Sequence, residues 1–324
     1  MQSTPQKNPP VFLSVLKMLR ASHWIKNGFV AVPIIFAKRY DSLQSWVDVA
    51  LAVAAFCLVS SGVYIFNDLR DCQADKLHPV KKLRPIPAGL VSGHFAVAMM
   101  ILVVCAGFAV SWICAMQSAP GPAQIFDGFG VTVWLGIYFL LQLCYSAGLK
   151  NVAILDVIIL ALGFVLRALA GAAAISVSIS GWLILCTFTL CLYLAIAKRR
   201  GELDVLSKKL AGKTRPALKA YDNPAELDRM LTVSQALAII SYSLYCLAPR
   251  TVQNIGSTNM IWTVPLVLLG IFRYDRVARM MHSSDVVHVV LKDRVLWIIV
   301  AAYIALAIAI IKLGSHPFVN NMIS

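Results

Sequence analysis

The stretch from Asn67 to Asp75 has the sequence NDLRDCQAD and follows a long apolar run. In a helix, Asp68, Asp71 and Asp75 are spaced i, i+3 and i+7, which places three carboxylates on one face with Asn67 beside them. Like charges on one helix face repel by roughly 0.2–0.5 kcal/mol per pair, and a bound cation removes this repulsion. Carboxylate oxygens suit Mg²⁺, which proteins often share with substrate phosphates. The stretch therefore predicts a Mg²⁺ site formed by Asn67, Asp68, Asp71 and Asp75, with the three aspartates as catalytic residues.

A basic run follows the acidic stretch within ten residues. Lys81, Lys82 and Arg84 are predicted to bind the phosphates that a Mg²⁺ ion would hold. The alternative is a solvated acidic helix end followed by basic residues that only orient the chain in a membrane. The coincidence of acidic cluster, basic cluster and the end of an apolar run favours the phosphate site.

The composition is that of an integral membrane protein. Of the 324 residues, 59% are hydrophobic and 14% are charged, against roughly a quarter charged in soluble domains. The net charge of +14 lies mostly in short segments between apolar runs. This placement predicts membrane lipids and phosphorylated substrates as partners, and no nucleic acid. The eight Cys form no C-x-x-C pair, which argues against a disulfide framework or a zinc site.

The apolar runs predict an all-α protein with nine transmembrane helices. Residues 1–23 are predicted to form a cytoplasmic tail and an interfacial amphipathic helix, and residues 314–324 a short non-cytoplasmic tail. The transmembrane domain covers residues 24–313, with two long cytoplasmic loops at 67–92 and 198–231. The predicted spans are 24–37, 48–66, 93–114, 130–146, 152–176, 181–197, 232–249, 258–273 and 295–313.

The distribution of Lys and Arg supports this topology. With a cytoplasmic N-terminus, 24 of the 29 basic residues fall on the cytoplasmic side and four on the other. This asymmetry obeys the positive-inside rule and places the C-terminus outside. We therefore expect a protein of the cell membrane whose site lies near the cytoplasmic face.

A charged pair inside the fifth span is the second candidate feature. Arg167 lies in mid-span, where charges are costly and usually functional, and Asp156 precedes it by three helical turns on the same face. The two residues are predicted to line a cavity and contact substrate. The alternative is a structural pair that holds helices together.

Further candidates for binding phosphate lie near the ends of predicted spans. Arg and Lys bind phosphate, and a Tyr can donate a hydrogen bond to it. Each of these residues has an alternative interpretation as an interfacial anchor or an orientation signal. The candidates are Lys26, Tyr145, Lys150, Lys198, Arg199 and Glu202.

The motif Asn67-Asp68-x-x-Asp71-x-x-x-Asp75, at the cytoplasmic end of the second span, resembles the first aspartate motif of the UbiA superfamily of intramembrane transferases. The resemblance extends over nearly the whole chain. It implies a bundle of nine helices around a central cavity that opens toward the cytoplasm. It also implies that the motif binds Mg²⁺ and a diphosphate.

Residues 198–203 contain no second aspartate-rich motif, which prenyltransferases of the superfamily usually carry. The chain is most similar to the branch that transfers phosphoribosyl to polyprenyl phosphates for cell-envelope synthesis. The matching segments are 24–27, 64–75, 78–85, 148–150, 167–168, 198–203 and 293–295, and they add Tyr64 to the substrate-binding candidates. The resemblance implies 5-phosphoribosyl diphosphate as donor and a polyprenyl phosphate as acceptor. The alternatives are a prenyltransferase that acts on an aromatic acceptor and, more remotely, a transporter.

Overall fold

The computed structural model describes residues 11–77, 81–117, 129–209, 221, 223–281 and 286–313. Within these ranges the chain is α-helical, with short 3₁₀ segments and no strand. The predicted tails at 1–10 and 314–324 lie outside the described residues. The helices are α1 Val11–Leu19, α2 Val32–Phe36, α3 Leu43–Arg70, α4 Cys72–Lys76, α5 Gly93–Gln117, α6 Gly130–Ala147, α7 Leu155–Ala174, α8 Gly181–Lys209, α9 Pro224–Leu247, α10 Pro249–Ile255, α11 Val264–Met281, α12 Val286–Lys292 and α13 Arg294–Leu313.

Seven of the described helices are long and apolar enough to cross a membrane. An eighth crossing is possible if α10 and the segment Asn259–Met281, which meet at a bend of 96°, form one span. The bend follows Gly256, whose φ of 81° ends α10 in the left-handed conformation that glycine adopts without strain. An all-α integral membrane protein is thereby confirmed.

The structure of residues 24–37 differs from the first predicted span. The structure has a 3₁₀ helix from Ala21 to Ala31 and then the five-residue helix α2. Pro33 stands near the start of α2, where a missing backbone N–H is tolerated. The segment is therefore irregular, and it is not among the helices that are long enough to cross a membrane.

The chain forms two compact units. The first contains residues 1–149 and 166–179, and the second contains residues 150–165 and 180–324. A core around Phe56, Leu135 and Leu166 stabilises the first unit. A second core around Tyr193, Leu227 and Tyr274 stabilises the other. Helix α7 contributes its first half to the second unit and its second half to the first.

Close packing between backbones fixes the helices of the first unit. A Cβ atom at Gly107 of α5 would lie 3.0 Å from the carbonyl oxygen of Ala55 in α3. A Cβ atom at Gly171 of α7 would lie 1.8 Å from the carbonyl oxygen of Val30. Only glycine permits this approach at position 171, which brings α7 against the 3₁₀ helix that carries Lys26 and Asn27.

Helix α3 positions the acidic stretch. It begins after Ser42, whose hydroxyl accepts a hydrogen bond from the Ser45 N–H, and it ends at Arg70. Asp71 interrupts the helix before α4, although the backbone hydrogen bonds from Asp71 to Asn67 and from Asp75 to Asp71 continue across the interruption. Asp68 therefore lies in α3, Asp75 lies in α4, and Asp71 lies at the junction between them.

Candidate functional site

Asp68 and Asp75 form the centre of the first polar cluster. Both side chains are buried, with 2% and 3% of their surface exposed. One nitrogen of Arg84, Nη1, donates to Asp68 Oδ1 at 2.9 Å and to Asp75 Oδ2 at 2.6 Å. The two carboxylates are thus close enough for one cationic group to bridge them.

Two further bases complete this cluster. Arg20 donates through Nη2 to Asp68, and Lys81 Nζ lies 3.5 Å from Asp75 Oδ1. The Arg20 guanidinium also lies over the ring of Tyr64, 4.8 Å from its centroid, in a cation–π contact. Burial lowers the pKa of Arg20, and the negative charge of Asp68 opposes that shift. A guanidinium stays charged under these conditions.

The cluster suits a hard divalent ion. Among the described residues, no three acidic, His or Cys side chains converge to form a complete protein cage for a metal. Mg²⁺ does not require one, because it is usually held by one or two carboxylates together with water and substrate phosphates. The Asp68 and Asp75 oxygens that share one Arg84 nitrogen offer such a pair of ligands.

The remaining members of the predicted metal and phosphate site lie near this pair. Asn67 and Asp71 are half-buried at the junction of α3 and α4. Lys82 is exposed in the 3₁₀ turn Lys81–Leu83, whereas Lys81 in the same turn reaches Asp75. The structure brings Asp68, Asp75, Lys81 and Arg84 together in one cluster, and their roles toward metal and phosphate stay a prediction.

Arg167 is buried in the first unit by partners that the sequence pattern did not indicate. Its Nε donates to Asn27 Oδ1 at 2.8 Å and its Nη2 to the Tyr138 hydroxyl at 2.9 Å. The guanidinium carbon also lies 4.6 Å from the centroid of the Tyr138 ring. Asn27 in turn donates to Ser60 Oγ at 3.3 Å. These contacts bring the 3₁₀ helix, α3, α6 and α7 together around one buried cation.

Asp156 belongs to a second polar cluster, which lies in the second unit. Arg199 donates through Nε to Asp156 Oδ2 at 2.6 Å and through Nη1 to Glu202 Oε2 at 2.7 Å. The Tyr221 hydroxyl donates to Asp156 Oδ1 at 2.6 Å. Asp156 and Arg199 are only 1% and 5% exposed. Asp156 forms a buried ion pair, but its partner is Arg199 and not the Arg167 that the helical spacing suggested.

The other predicted phosphate ligands lie in four different segments. Tyr145 lies near the end of α6, Lys150 lies in the 3₁₀ turn Leu149–Asn151, and Lys198 precedes Arg199 in α8. Lys26 lies in the first 3₁₀ helix. All four side chains are half-buried, which is compatible with a cationic or phenolic group at the edge of a polar site.

Four contact residues were not among the predicted site residues. Arg20 is 48 positions from Asp68, and Tyr138 is 29 positions from Arg167, so no helical spacing relates either pair. Tyr221 follows a polar stretch of the sequence, and nothing in the sequence distinguishes it from other Tyr residues. Asn27 is the exception, because it adjoins the predicted ligand Lys26 in a short polar segment within an apolar stretch.

The sequence matches the model of the UbiA prenyltransferase family over residues 29–290. The chain belongs to this family. A decaprenyl-phosphate phosphoribosyltransferase from Mycolicibacterium smegmatis is 30% identical to it, over 94% of each chain. A decaprenyl-phosphate phosphoribosyltransferase from Corynebacterium glutamicum is 29% identical, over 94% of this chain and 89% of the relative. The predicted membership of the UbiA superfamily is confirmed.

Solved UbiA structures have the same fold. A UbiA homologue from Archaeoglobus fulgidus, solved with GPP and Mg²⁺, matches with a TM-score of 0.66 at 19% identity, over 92% of this chain and 99% of that one. The same homologue has been solved with Cd²⁺ and matches with a TM-score of 0.62 at 19% identity, over the same shares of the two chains. The UbiA fold is thereby confirmed, and the count of nine helices stays a prediction.

Proposed function

We propose that this UbiA family member transfers the 5-phosphoribosyl group from 5-phosphoribosyl diphosphate to a polyprenyl phosphate of the decaprenyl type. The observation that carries the proposal is the pair of buried carboxylates, Asp68 and Asp75, bridged by one Arg84 nitrogen beside Arg20 and Lys81. It provides ligands for a divalent ion and cations for phosphate in one place. The choice of donor and acceptor is supported by the relatives, which carry the name of this activity and match over nearly their full lengths.

The proposed reaction exchanges one bond at C1 of the ribose. The bond from C1 to the diphosphate breaks, a bond from C1 to an oxygen of the acceptor phosphate forms, and pyrophosphate leaves. C1 gains oxocarbenium character, as in the cleavage of glycosidic bonds. Because the acceptor phosphate is already anionic, the reaction needs no strong general base. The acceptor attacks from the face opposite the diphosphate, which inverts C1.

Asp68 and Asp75 would hold Mg²⁺, with Asp71 and Asn67 at the same helix junction as further ligands. The ion would supply charge stabilisation for the departing pyrophosphate. Arg84 and Lys81 bind diphosphate oxygens, and Lys82 contributes from the exposed side of the same turn. Their fixed positive charges oppose the negative charge that develops on the leaving group, which is the usual source of rate acceleration in such sites.

The remaining bases divide into two kinds. Lys26, Lys150 and Lys198 are half-buried, and we assign them to the 5-phosphate of the donor and the phosphate of the acceptor, with Tyr64 and Tyr145 as hydrogen-bond donors. Arg167 and Arg199 are fully buried among protein partners. We assign Arg167 to holding the first unit in shape, and Arg199 with Asp156 and Glu202 to holding the second.

We propose the predicted topology for this domain as well. Residues 21–36 would complete a ninth crossing, with the N-terminus in the cytoplasm and the C-terminus outside. The active site would open toward the cytoplasmic face, where the water-soluble donor is made. The lipid tail of the acceptor would lie between helices, open to the bilayer. The asymmetry of 24 against four basic residues supports this orientation.

The proposal is tested with purified protein in detergent, Mg²⁺, a polyprenyl phosphate and 5-phosphoribosyl diphosphate labelled in the ribose. We expect label to enter the organic phase only when both substrates and Mg²⁺ are present, and a chelator to abolish the product. A parallel reaction contains a labelled prenyl diphosphate and an aromatic acid. Product from that reaction alone would contradict the proposal and indicate a prenyltransferase. Absence of pyrophosphate release with either donor would contradict both.

A further inference from the structure

The hydroxyl of Tyr221 connects three segments that are far apart in the sequence. It accepts a hydrogen bond from the Ile154 N–H at 2.7 Å and donates one to Asp156 Oδ1 at 2.6 Å. Asp156 in turn binds Arg199 at the end of the apolar part of α8. Tyr221 is 2% exposed, so this hydroxyl works within the protein and not at a surface.

The backbone of Ile154, which donates the first of these hydrogen bonds, has an unusual conformation. Its φ is 70°, in the left-handed region that β-branched residues rarely adopt. The residue ends the short segment between Lys150 and the start of α7. A backbone in this strained conformation persists only when its surroundings hold it. The hydrogen bond from the Ile154 N–H to the Tyr221 hydroxyl is one of the contacts that hold it.

The second contact fixes an ion pair. Oxygen Oδ1 of Asp156 accepts from Tyr221 and oxygen Oδ2 accepts from Arg199, so the carboxylate is held from both sides. Burial raises the pKa of Tyr221, and the hydrogen bond to Asp156 raises it further. The phenol therefore keeps its proton at physiological pH and remains a donor. Arg199 is held at its other end by Glu202.

We infer that Tyr221 is a positioning residue for the transfer reaction, whose hydroxyl sets the placement of the Lys150 turn and of Lys198 beside Arg199 for binding the phosphates of the donor. The inference rests on the proposed function. Tyr221 acts through Ile154 on the segment that follows Lys150, and through Asp156 and Arg199 on the helix that carries Lys198. Of the half-buried bases, we assign Lys150 and Lys198 to the 5-phosphate of the donor and Lys26 to the phosphate of the acceptor, so displacement of the first two weakens binding of the donor.

The variant Tyr221→Phe tests this role, because it keeps the ring and removes only the hydroxyl. We expect the KM for 5-phosphoribosyl diphosphate to rise about tenfold, with kcat and the KM for polyprenyl phosphate within about threefold of the wild type. A substitution that removes binding energy shared by the ground state and the transition state raises KM and leaves kcat nearly unchanged. Direct titration of the variant with the donor and Mg²⁺, without acceptor, gives the dissociation constant separately.

Tyr242→Phe is the matched control in the same unit. The Tyr242 hydroxyl is hydrogen-bonded to Thr263 and Tyr303, away from the cluster around Asp156. Its removal is expected to lower the unfolding temperature to a similar extent while leaving the KM for the donor unchanged. If both variants raise that KM equally, the effect is one of general stability and the inference is wrong.

Two other outcomes would overturn the inference. An unchanged KM for the donor in Tyr221→Phe would show that the hydroxyl only fills a hydrogen-bond position. A loss of kcat to background with an unchanged KM would place Tyr221 in the chemical step.

The wild-type protein distinguishes failure of the proposed function from failure of the inference. A wild-type protein that makes no phosphoribosyl lipid contradicts the proposed function, and the inference that rests on it is then wrong as well. If the wild type makes the phosphoribosyl lipid and Tyr221→Phe has the same KM for the donor, only the inference is wrong and the proposed function stands.

Discussion

The two polar clusters use the same kinds of side chain in different ways. In the first unit, Arg20, Lys81 and Arg84 surround the buried acids Asp68 and Asp75, and the side chains of these bases are 16–26% exposed. In the second unit the base itself is enclosed. The Arg199 side chain is 6% exposed and lies between Asp156 and Glu202.

The difference in exposure indicates that the bases of the first cluster carry exchangeable charge, meaning that they can change partners. The base of the second cluster carries fixed charge, because it stays with its two acids. A partly exposed Arg or Lys can turn toward water when it leaves its carboxylate, and an incoming divalent cation can then neutralise the buried acid in its place. A buried base between two acids cannot, because the separated charges would stay in a medium of low polarity. The first cluster is thus suited to accept a metal ion and a substrate, and the second is suited to hold segments of the chain in place.

Replacement of Asp68 by Asn gives the largest expected effect. The change keeps size and hydrogen-bond acceptance but removes the charge that would hold Mg²⁺, and loss of metal-assisted charge stabilisation is worth about 4 kcal/mol, or about 10³-fold in kcat. Turnover is measured over a Mg²⁺ series. Asp48→Asn is the control, since Asp48 is also buried in α3 but is hydrogen-bonded to Gln44. Near-normal turnover of Asp68→Asn at saturating Mg²⁺ would refute the metal assignment.

Removal of the two arginines should have different consequences. Arg199→Met leaves Asp156 buried without its ion-pair partner and is expected to lower the free energy of unfolding by about 3–5 kcal/mol. Arg84→Met leaves Asp68 paired with Arg20 and Asp75 with Lys81, so it is expected to lower the free energy of unfolding by less, about 2 kcal/mol, and to weaken binding of the donor. Thermal unfolding in detergent and donor titration measure the two effects. Equal destabilisation by both substitutions would contradict the distinction between exchangeable and fixed charge.

Tyr138→Phe should give the smallest effect. The variant removes one of the hydrogen bonds of Arg167 but keeps the aromatic ring against the guanidinium. We expect the free energy of unfolding to fall by about 1.5 kcal/mol, the low end of the range for a hydrogen bond to a charged group, and turnover to change less than threefold. A collapse of turnover with unchanged stability would instead place Arg167 in contact with substrate.

Much of the fold follows from composition and periodicity. Apolar runs near 48–66, 93–114 and 181–197 became the helices α3, α5 and α8, because a helix satisfies its own backbone hydrogen bonds in lipid. Residues 21–36 could not be predicted in this way. Their hydropathy suggests a span, but the Asn27 side chain donates to Ser60, the His23 ring packs against Tyr64, and the segment begins as a 3₁₀ helix.

The candidate site was predictable where its residues are close in sequence. Asp68, Asp75 and Arg84 lie within 17 residues, and helical spacing with a basic run indicated them. The contacts of Arg20 with Asp68 and of Tyr221 with Asp156 span 48 and 65 positions. They depend on how helices pack against each other, and periodicity along one helix carries no information about that packing.

The bridging of Asp68 and Asp75 by Arg84 also bears on how the protein is made. Many small metalloproteins stay unfolded until they acquire their ion, because nothing else neutralises the ligands. Here Arg20, Lys81 and Arg84 provide that neutralisation from the chain itself. The two carboxylates are therefore neutralised in the folded chain without a bound ion, and binding of the proposed Mg²⁺ would be an exchange of their partners and not a step of folding.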